Sequence, residues 1–328
     1  MKVAIIGSGI IGSAIAFHLA SLGMRVEVWE TQTQPGLGST GAALGFLLGV
    51  ASAKTSGRIV RLRLDSLKLY DTWLPELEKL TGRRVLLHQG IVCLPRDGHL
   101  WRELAQVRAK QGYSLEPVVI GQYQGFYSPT DRVVHPLELV SALVEAATQR
   151  GAKFHWGCAW EQGREADSDR VVVCGGLGSQ ALVELPLQAV GGQAIEVAVA
   201  ADPHLPALHI VDELGDVNLV PLGGGRYWIG ATVEFDPTVL PRAENVTYLL
   251  GRVGQYFPQF QESTVLNTWA NYRPRPIGRG APVIEWCRPG WLVASGHYRN
   301  GLLLAPITAQ IVGEMLINST TATSINKS

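Results

Sequence analysis

Near the start of the chain, Gly7-Ser8-Gly9-Ile10-Ile11-Gly12 has the G-x-G-x-x-G spacing. Each glycine in that pattern has its own task. The first turns the chain tightly, the second lets backbone approach a pyrophosphate, and the third lets a helix pack closely on a strand. Phosphates then meet the free N–H groups and the dipole at the start of the following helix. Glu30, followed by Thr31, stands where an acid accepts hydrogen bonds from ribose hydroxyls and repels a 2′-phosphate. The pattern therefore predicts FAD or NAD rather than NADP, and does not by itself separate the two.

The elements that must position these residues are legible around them. Residues 2–6 (KVAII) read as a short buried strand, 13–22 as an Ala/Leu-rich helix ended by Gly23, and 25–29 (RVEVW) as a second strand. Together they make a βαβ unit. The same residues could pass for a signal peptide, but strand, glycine turn and helix describe them better. Residues 35–49 are rich in glycine and small side chains, which suits close approach to a ligand. Helices are expected over 66–80, 100–111 and 136–150, the last opening on Pro136. Strands are expected over 90–95, 153–156 and 170–174. From 188 to 235, short β-rich runs alternate with glycine turns, and Gly223-Gly224-Gly225 reads as a hairpin. This stretch is expected to be an antiparallel sheet on the substrate side. A strand at 291–294 and a helix from 305 to about 317 return to α/β, and the polar residues from Asn318 are expected to fray.

Bulk properties narrow the class. Of 328 residues, 46% are hydrophobic and 17% charged, enough apolar material for a sizeable core. Lys+Arg and Asp+Glu are both 28, which favours neither nucleic acid nor an anionic membrane as partner. No uninterrupted apolar stretch suggests a transmembrane segment. Cys93, Cys158, Cys174 and Cys287 share no CxxC spacing and none has a histidine at ligand spacing, so reduced thiols, no metal site and a cytoplasmic location are expected.

Beyond the fingerprint, the chain resembles the glycine oxidase and D-amino-acid oxidase family of flavoproteins nearly end to end, most closely its thiamine-pathway glycine oxidase branch. Four segments carry the resemblance. Ser39-Thr40-Gly41-Ala42-Ala43-Leu44-Gly45-Phe46 resembles the family's small-residue segment along the pyrophosphate and flavin. Val171 to Ser179 (VVVCGGLGS), with Cys174, Gly175 and Gly176, resembles a strand and turn near the FAD. Residues 269–274 (WANYRP) resemble the family's "WAGLRP". Residues 296–306 (GHYRNGLLLAP) nearly match its "GHxRNGxLLAP".

The resemblance implies non-covalent FAD, since no cysteine stands between Trp269 and Pro282, where sarcosine-oxidising relatives attach the flavin. It implies that Arg273 grips a substrate carboxylate, for which a guanidinium fork is suited. His297, Tyr298, Arg299, Asn300, Gly301, Leu302 and Leu303 match the loop beneath the flavin, with Arg299 a second arginine near the substrate. His297 is expected to be a packed histidine whose backbone lines that site rather than a base. Trp160 is a weak match for an adenine-side contact.

Departures bear on the substrate. Asn218 stands where the family's glycine oxidases carry a tyrosine near the carboxylate, Val233 stands where they carry a methionine, and the stretch from Trp156 to Arg170 is shortened.

The expected fold is α/β: a Rossmann-type FAD-binding domain (1–75, 132–185, 262–320) with an inserted, mainly antiparallel β substrate domain (76–131, 186–261) and a flexible tail (321–328). The expected activity is FAD-dependent oxidation of a small amino acid or amine such as glycine, sarcosine or a D-amino acid. Hydride would pass from Cα to flavin N5, giving an imine and, with O2 as acceptor, hydrogen peroxide. Two alternatives stand beside it: a dehydrogenase passing electrons to a quinone or protein, and a non-catalytic FAD-binding assembly protein. A homo-oligomer is left open.

Overall fold

The structure, a computed structural model, describes residues 1–95, 97–161, 163–236 and 240–325, with side chains as far as Ser319. Two sheets organise it. The six-stranded sheet runs β14-β15-β8-β1-β2-β7. It is built from β1 (Lys2–Ile6), β2 (Arg25–Glu30), β7 (Lys153–Trp156), β8 (Arg170–Val173), β14 (Val283–Arg288) and β15 (Trp291–Ser295). All its pairings are parallel except β14 with β15. Five of its strands match the expected ones to within a residue, because a buried parallel strand reads as a short run of β-branched residues.

The second sheet has nine strands: β3 (Phe46–Leu47), β4 (Leu86–Pro95), β5 (Glu116–Ile120), β6 (Tyr123–Val134), β9 (Leu187–Ala198), β10 (Leu208–Asp212), β11 (Gly215–Gly223), β12 (Arg226–Gly230) and β13 (Thr264–Pro276). Only β10 with β4 is parallel. The mainly antiparallel sheet expected over 188–235 is therefore present, and it is larger than that span. β13, placed by sequence in the nucleotide-binding part, pairs with β9 from Thr264 to Pro276 and belongs to this sheet. So do β3 and the whole of β6. The two parts interleave more finely than the expected boundaries.

Among the described residues, six α-helices cover the sheets: α1 (Ile10–Ser21), α2 (Arg58–Thr81), α3 (Gly98–Lys110), α4 (Pro136–Gln149), α5 (Ala243–Gly254) and α6 (Gly301–Ile325). α1 is apolar on nearly every side and is buried between β1, α4 and α6. α4 opens on Pro136, and His135 Nδ1 caps it by accepting from Glu138 N at 3.4 Å.

α6 departs most from expectation. It begins at Gly301 and stays helical to Ile325, so the tail expected from 321 is helical that far; 326–328 lie outside the described residues. It starts ahead of Pro306, whose missing N–H leaves the carbonyl of Leu302 without its helical partner. The hydroxyl of Tyr70, fully buried on α2, donates to that carbonyl at 2.5 Å. α6 is also the one described helix long and apolar enough, by length and composition, to cross a membrane, which the sequence reading did not credit. Leu304, Ala305, Ala309, Val312 and Leu316 are buried in the main core, as in the central helix of a folded domain.

Candidate active site

The two sheets and the starts of α1 and α6 enclose one large cavity of about 1390 Å³. Small-molecule pockets usually fall within roughly 300–1,000 Å³, so this one has room for a dinucleotide together with a small second molecule.

One end is the glycine turn. Gly7 has φ +103°, and a Cβ there would lie 2.8 Å from the carbonyl oxygen of Cys174. A Cβ on Gly12 would lie 1.9 Å from the oxygen of Gly7, so this glycine is demanded by helix–strand packing and does not line the cavity. A Cβ on Gly9 would meet only Thr40 Oγ1, at 3.4 Å, and its backbone faces the open space. The three tasks assigned to the fingerprint are thus visible as three different surroundings. Ile10 N donates to Thr40 Oγ1 at 3.0 Å, which pins the small-residue segment to the start of α1. Glu30 Oε2 accepts from Ser8 N at 2.6 Å, and Oε1 accepts from Gln32 N at 2.9 Å and from Thr31 Oγ1 at 3.1 Å; Oε2 keeps a further lone pair for a ribose.

The other expected nucleotide residues gather along the same wall. Ile10, Ile11, Thr31, Ser39, Thr40, Leu44, Gly45, Phe46, Cys174, Gly175 and Gly176 all line it. A Cβ on Gly45 would lie 1.8 Å from the oxygen of Val134, so only glycine lets this segment reach β6. Trp160, expected as an adenine-side contact, lines the cavity, edge-on to Trp29 with centroids 5.1 Å apart. Burial raises the Cys174 thiol well above its ordinary value and keeps it protonated.

The far end is built from His297 to Leu303, all of which line the cavity. Tyr298 holds φ +53°, uncommon for a residue with a side chain and typical of strain kept at a functional site. Asn300 Oδ1 accepts from Arg63 Nε at 3.1 Å, and Arg63 Nη1 donates to Ser52 Oγ at 2.6 Å. His297 is buried, with Nε2 3.0 Å from Thr308 Oγ1, and burial lowers it to about 3. It is neutral at ordinary pH, which agrees with a packed residue. The opening turns of α1 and α6 both bring N–H groups without intrahelical partners to this one cavity. That donor set, the glycine-lined wall and the length of the space fit FAD.

Between these ends lies the second pocket wall. Arg273, on β13, donates from Nη1 to the carbonyls of Gly191 at 2.7 Å and Thr232 at 3.1 Å. Its Nη2 and Nε carry no hydrogen bond among the described residues. The guanidinium lies across Gly192, where a Cβ would sit 2.1 Å from Nη2. Burial first, and then the charge of Arg299, lower Arg273 from its ordinary value, although a guanidinium still remains charged. Arg299 forms an ion pair with Asp216 of β11. Asn218, two residues along the same strand, accepts at Oδ1 from His209 Nδ1 at 2.8 Å. Burial lowers His209, so its ring is neutral. Val233, compared above with a methionine, is 42% exposed and does not line the cavity.

Sequence reasoning missed Asp216, His209, Arg63 and Gly192. Asp216 and Asn218 face the cavity while Val217 and Leu219 enter a core cluster, the period-2 alternation of a half-buried strand. That alternation is the one signal that could have found Asp216 from Asn218. His209 needed the β10–β11 register, which places it opposite Asn218.

Comparison with known proteins agrees with this geometry. Over 343 residues the chain is 29% identical to the bifunctional protein ThiO/ThiG of Synechocystis, covering 96% of this chain and 51% of that one. It is 29% identical to the glycine oxidase of Geobacillus kaustophilus over 366 residues, covering 98% of this chain and 94% of that one. The chain thus spans about half the length of the bifunctional relative and nearly all of the single-function one. The crystal structure of glycine oxidase from Geobacillus kaustophilus superposes with a TM-score of 0.81 at 25% identity, covering 97% of this chain and 95% of that one. The family model described as FAD dependent oxidoreductase matches residues 2–315, and the chain belongs to that family, with FAD as its cofactor.

Proposed function

We propose that this chain oxidises a small amino acid or carboxylate-bearing amine, of the class of glycine, sarcosine or a D-amino acid. The observation that carries the reading is Arg273. It is a charged, part-buried guanidinium with Nη2 and Nε unpaired among the described residues, in the wall of the FAD cavity. Such a group favours a counter-anion, and a carboxylate matches its fork. The names of the relatives, glycine oxidase and ThiO/ThiG, support the same substrate class.

Held without a covalent link along the glycine turn and the 297–303 segment, FAD would supply a two-electron acceptor for the Cα hydride, with O2 as the final acceptor and hydrogen peroxide as the product. The residues of this chain do the rest. Arg273 orients the substrate through its carboxylate. The Nδ2 amide group of Asn218, turned by His209, adds donors beside it. The neutral amine of the substrate assists departure of hydride and becomes an imine, which hydrolyses in water. No protein base is needed, consistent with a buried and neutral His297.

The test is anaerobic titration of the yellow protein with glycine, sarcosine and a panel of D-amino acids, followed by oxygen consumption against dye reduction with whichever one bleaches the flavin. Bleaching with rapid oxygen uptake is expected. Bleaching with dye reduction alone replaces O2 by another acceptor. No bleaching by any of them overturns the reading in favour of a non-catalytic flavoprotein.

A further inference from the structure

The cavity wall also carries a charge arrangement that the proposed chemistry does not use. Arg299 is held against Asp216, and both side chains line the cavity, with Arg299 37% and Asp216 23% exposed. Asp216 and Asn218 project from the same face of β11. Asn218 is committed through its oxygen to His209, and Asp216 supplies the carboxylate that pairs with Arg299. Arg273 has no such partner: its two hydrogen bonds go to backbone carbonyls. Arg273 is therefore open to an anion and Arg299 is already neutralised, while Arg63, which also lines the cavity, donates to Asn300 and Ser52.

We infer that Asp216 is a specificity-determining residue: by occupying Arg299, it restricts the pocket to amines with a single carboxylate and excludes dicarboxylates. The inference rests on the reading of Arg273 as a carboxylate site. Its physical basis is simple. A second ligand carboxylate reaching for Arg299 would have to displace Asp216 or sit beside it, and two like charges in a partly desolvated wall disfavour each other. Removing the charge at 216 would leave Arg299 as a second anion-binding fork. Substrate range would then widen toward amines carrying two acids, with no change in the reacting bond.

The experiment uses the FAD-loaded protein and three unreactive probes, acetate, malonate and succinate, followed by their perturbation of the flavin absorption band. Wild type should bind acetate at least tenfold more tightly than either dicarboxylate. In Asp216→Asn, the affinity ratio of the better dicarboxylate to acetate should rise at least tenfold, and adding Arg299→Met to that variant should cancel the rise. Asp216→Ser provides the same comparison if the asparagine variant does not hold FAD. Dicarboxylates that bind wild type as tightly as acetate overturn the inference, as does an unchanged ratio in the variants. Acetate binding with an unchanged ratio removes the role of Asp216 alone. Absence of any perturbation by all three probes in wild type removes the carboxylate site itself.

Discussion

His209 Nδ1 and Asn218 Oδ1 lie 2.8 Å apart across the β10–β11 pair, inside the cavity wall. The amide oxygen can only accept, so the imidazole donates, and the Nδ2 group of Asn218 is turned away from His209. The residue expected to stand where the glycine oxidases carry a tyrosine is thereby given a fixed orientation by a second residue on the neighbouring strand. Replacing His209 with Leu should release the amide. The expected result is a rise in KM of about fivefold, corresponding to roughly 1 kcal/mol for one hydrogen bond, with kcat little changed. Steady-state kinetics check it; a fall in kcat at constant KM would contradict a positioning role.

Tyr70 should matter more to the flavin loop than its distance in sequence suggests. Its hydroxyl occupies the Leu302 carbonyl that Pro306 leaves unpaired. Tyr70→Phe keeps the ring and strands the carbonyl in the core, at a cost of about 1–3 kcal/mol. Thermal unfolding should show a lower melting temperature, and FAD should dissociate more readily. Equal stability of the two proteins would contradict the assignment.

Gly12→Ala should not yield a yellow protein. The added Cβ would lie 1.9 Å from the Gly7 carbonyl, backbone against backbone, with no flexible side chain to move aside. Gly9→Ala meets only Thr40 Oγ1 at 3.4 Å and should fold. It should weaken FAD by placing a methyl group in the cavity. Absorbance ratios of the purified variants separate these outcomes.

Stability should fall as the solution is acidified. Burial lowers His297 to about 3, whereas an unfolded histidine titrates near 6.5. Above about pH 6.5 neither state takes the proton, and this residue contributes no slope. Between about 6.5 and about 3 only the unfolded chain is protonated, so stability drops by up to about 1.4 kcal/mol per pH unit. His18, His135 and His209 are lowered by burial too and act in the same direction. His297→Gln should show a shallower loss of melting temperature between pH 7 and 5 than wild type.

Much of the nucleotide half was legible in the sequence because its cues are local. A glycine turn, a buried strand and an apolar helix follow one another within 30 residues, and each obeys a short-range rule. The flavin loop was legible through its resemblance, and the space around it agrees. Less legible were features set by register and by pairing far along the chain. β13 joined the larger sheet because it follows β9 residue by residue, which no local pattern announces. Gly192 looks like any strand glycine until the Arg273 guanidinium is seen lying over it. Asp216 lies unremarked in the β-rich stretch over 188–235, and it gains its meaning from Arg299, which the fold brings across from the segment before α6.

The central claim is that Arg273 holds the substrate carboxylate. The most direct measurement is the KM of Arg273→Met for the amino acid that bleaches the flavin, taken with the FAD content of the same preparation. The account predicts full FAD occupancy and a KM raised by about a hundredfold or more, the loss of a charge-assisted, two-pronged contact. An unchanged KM in a fully FAD-loaded variant would contradict it.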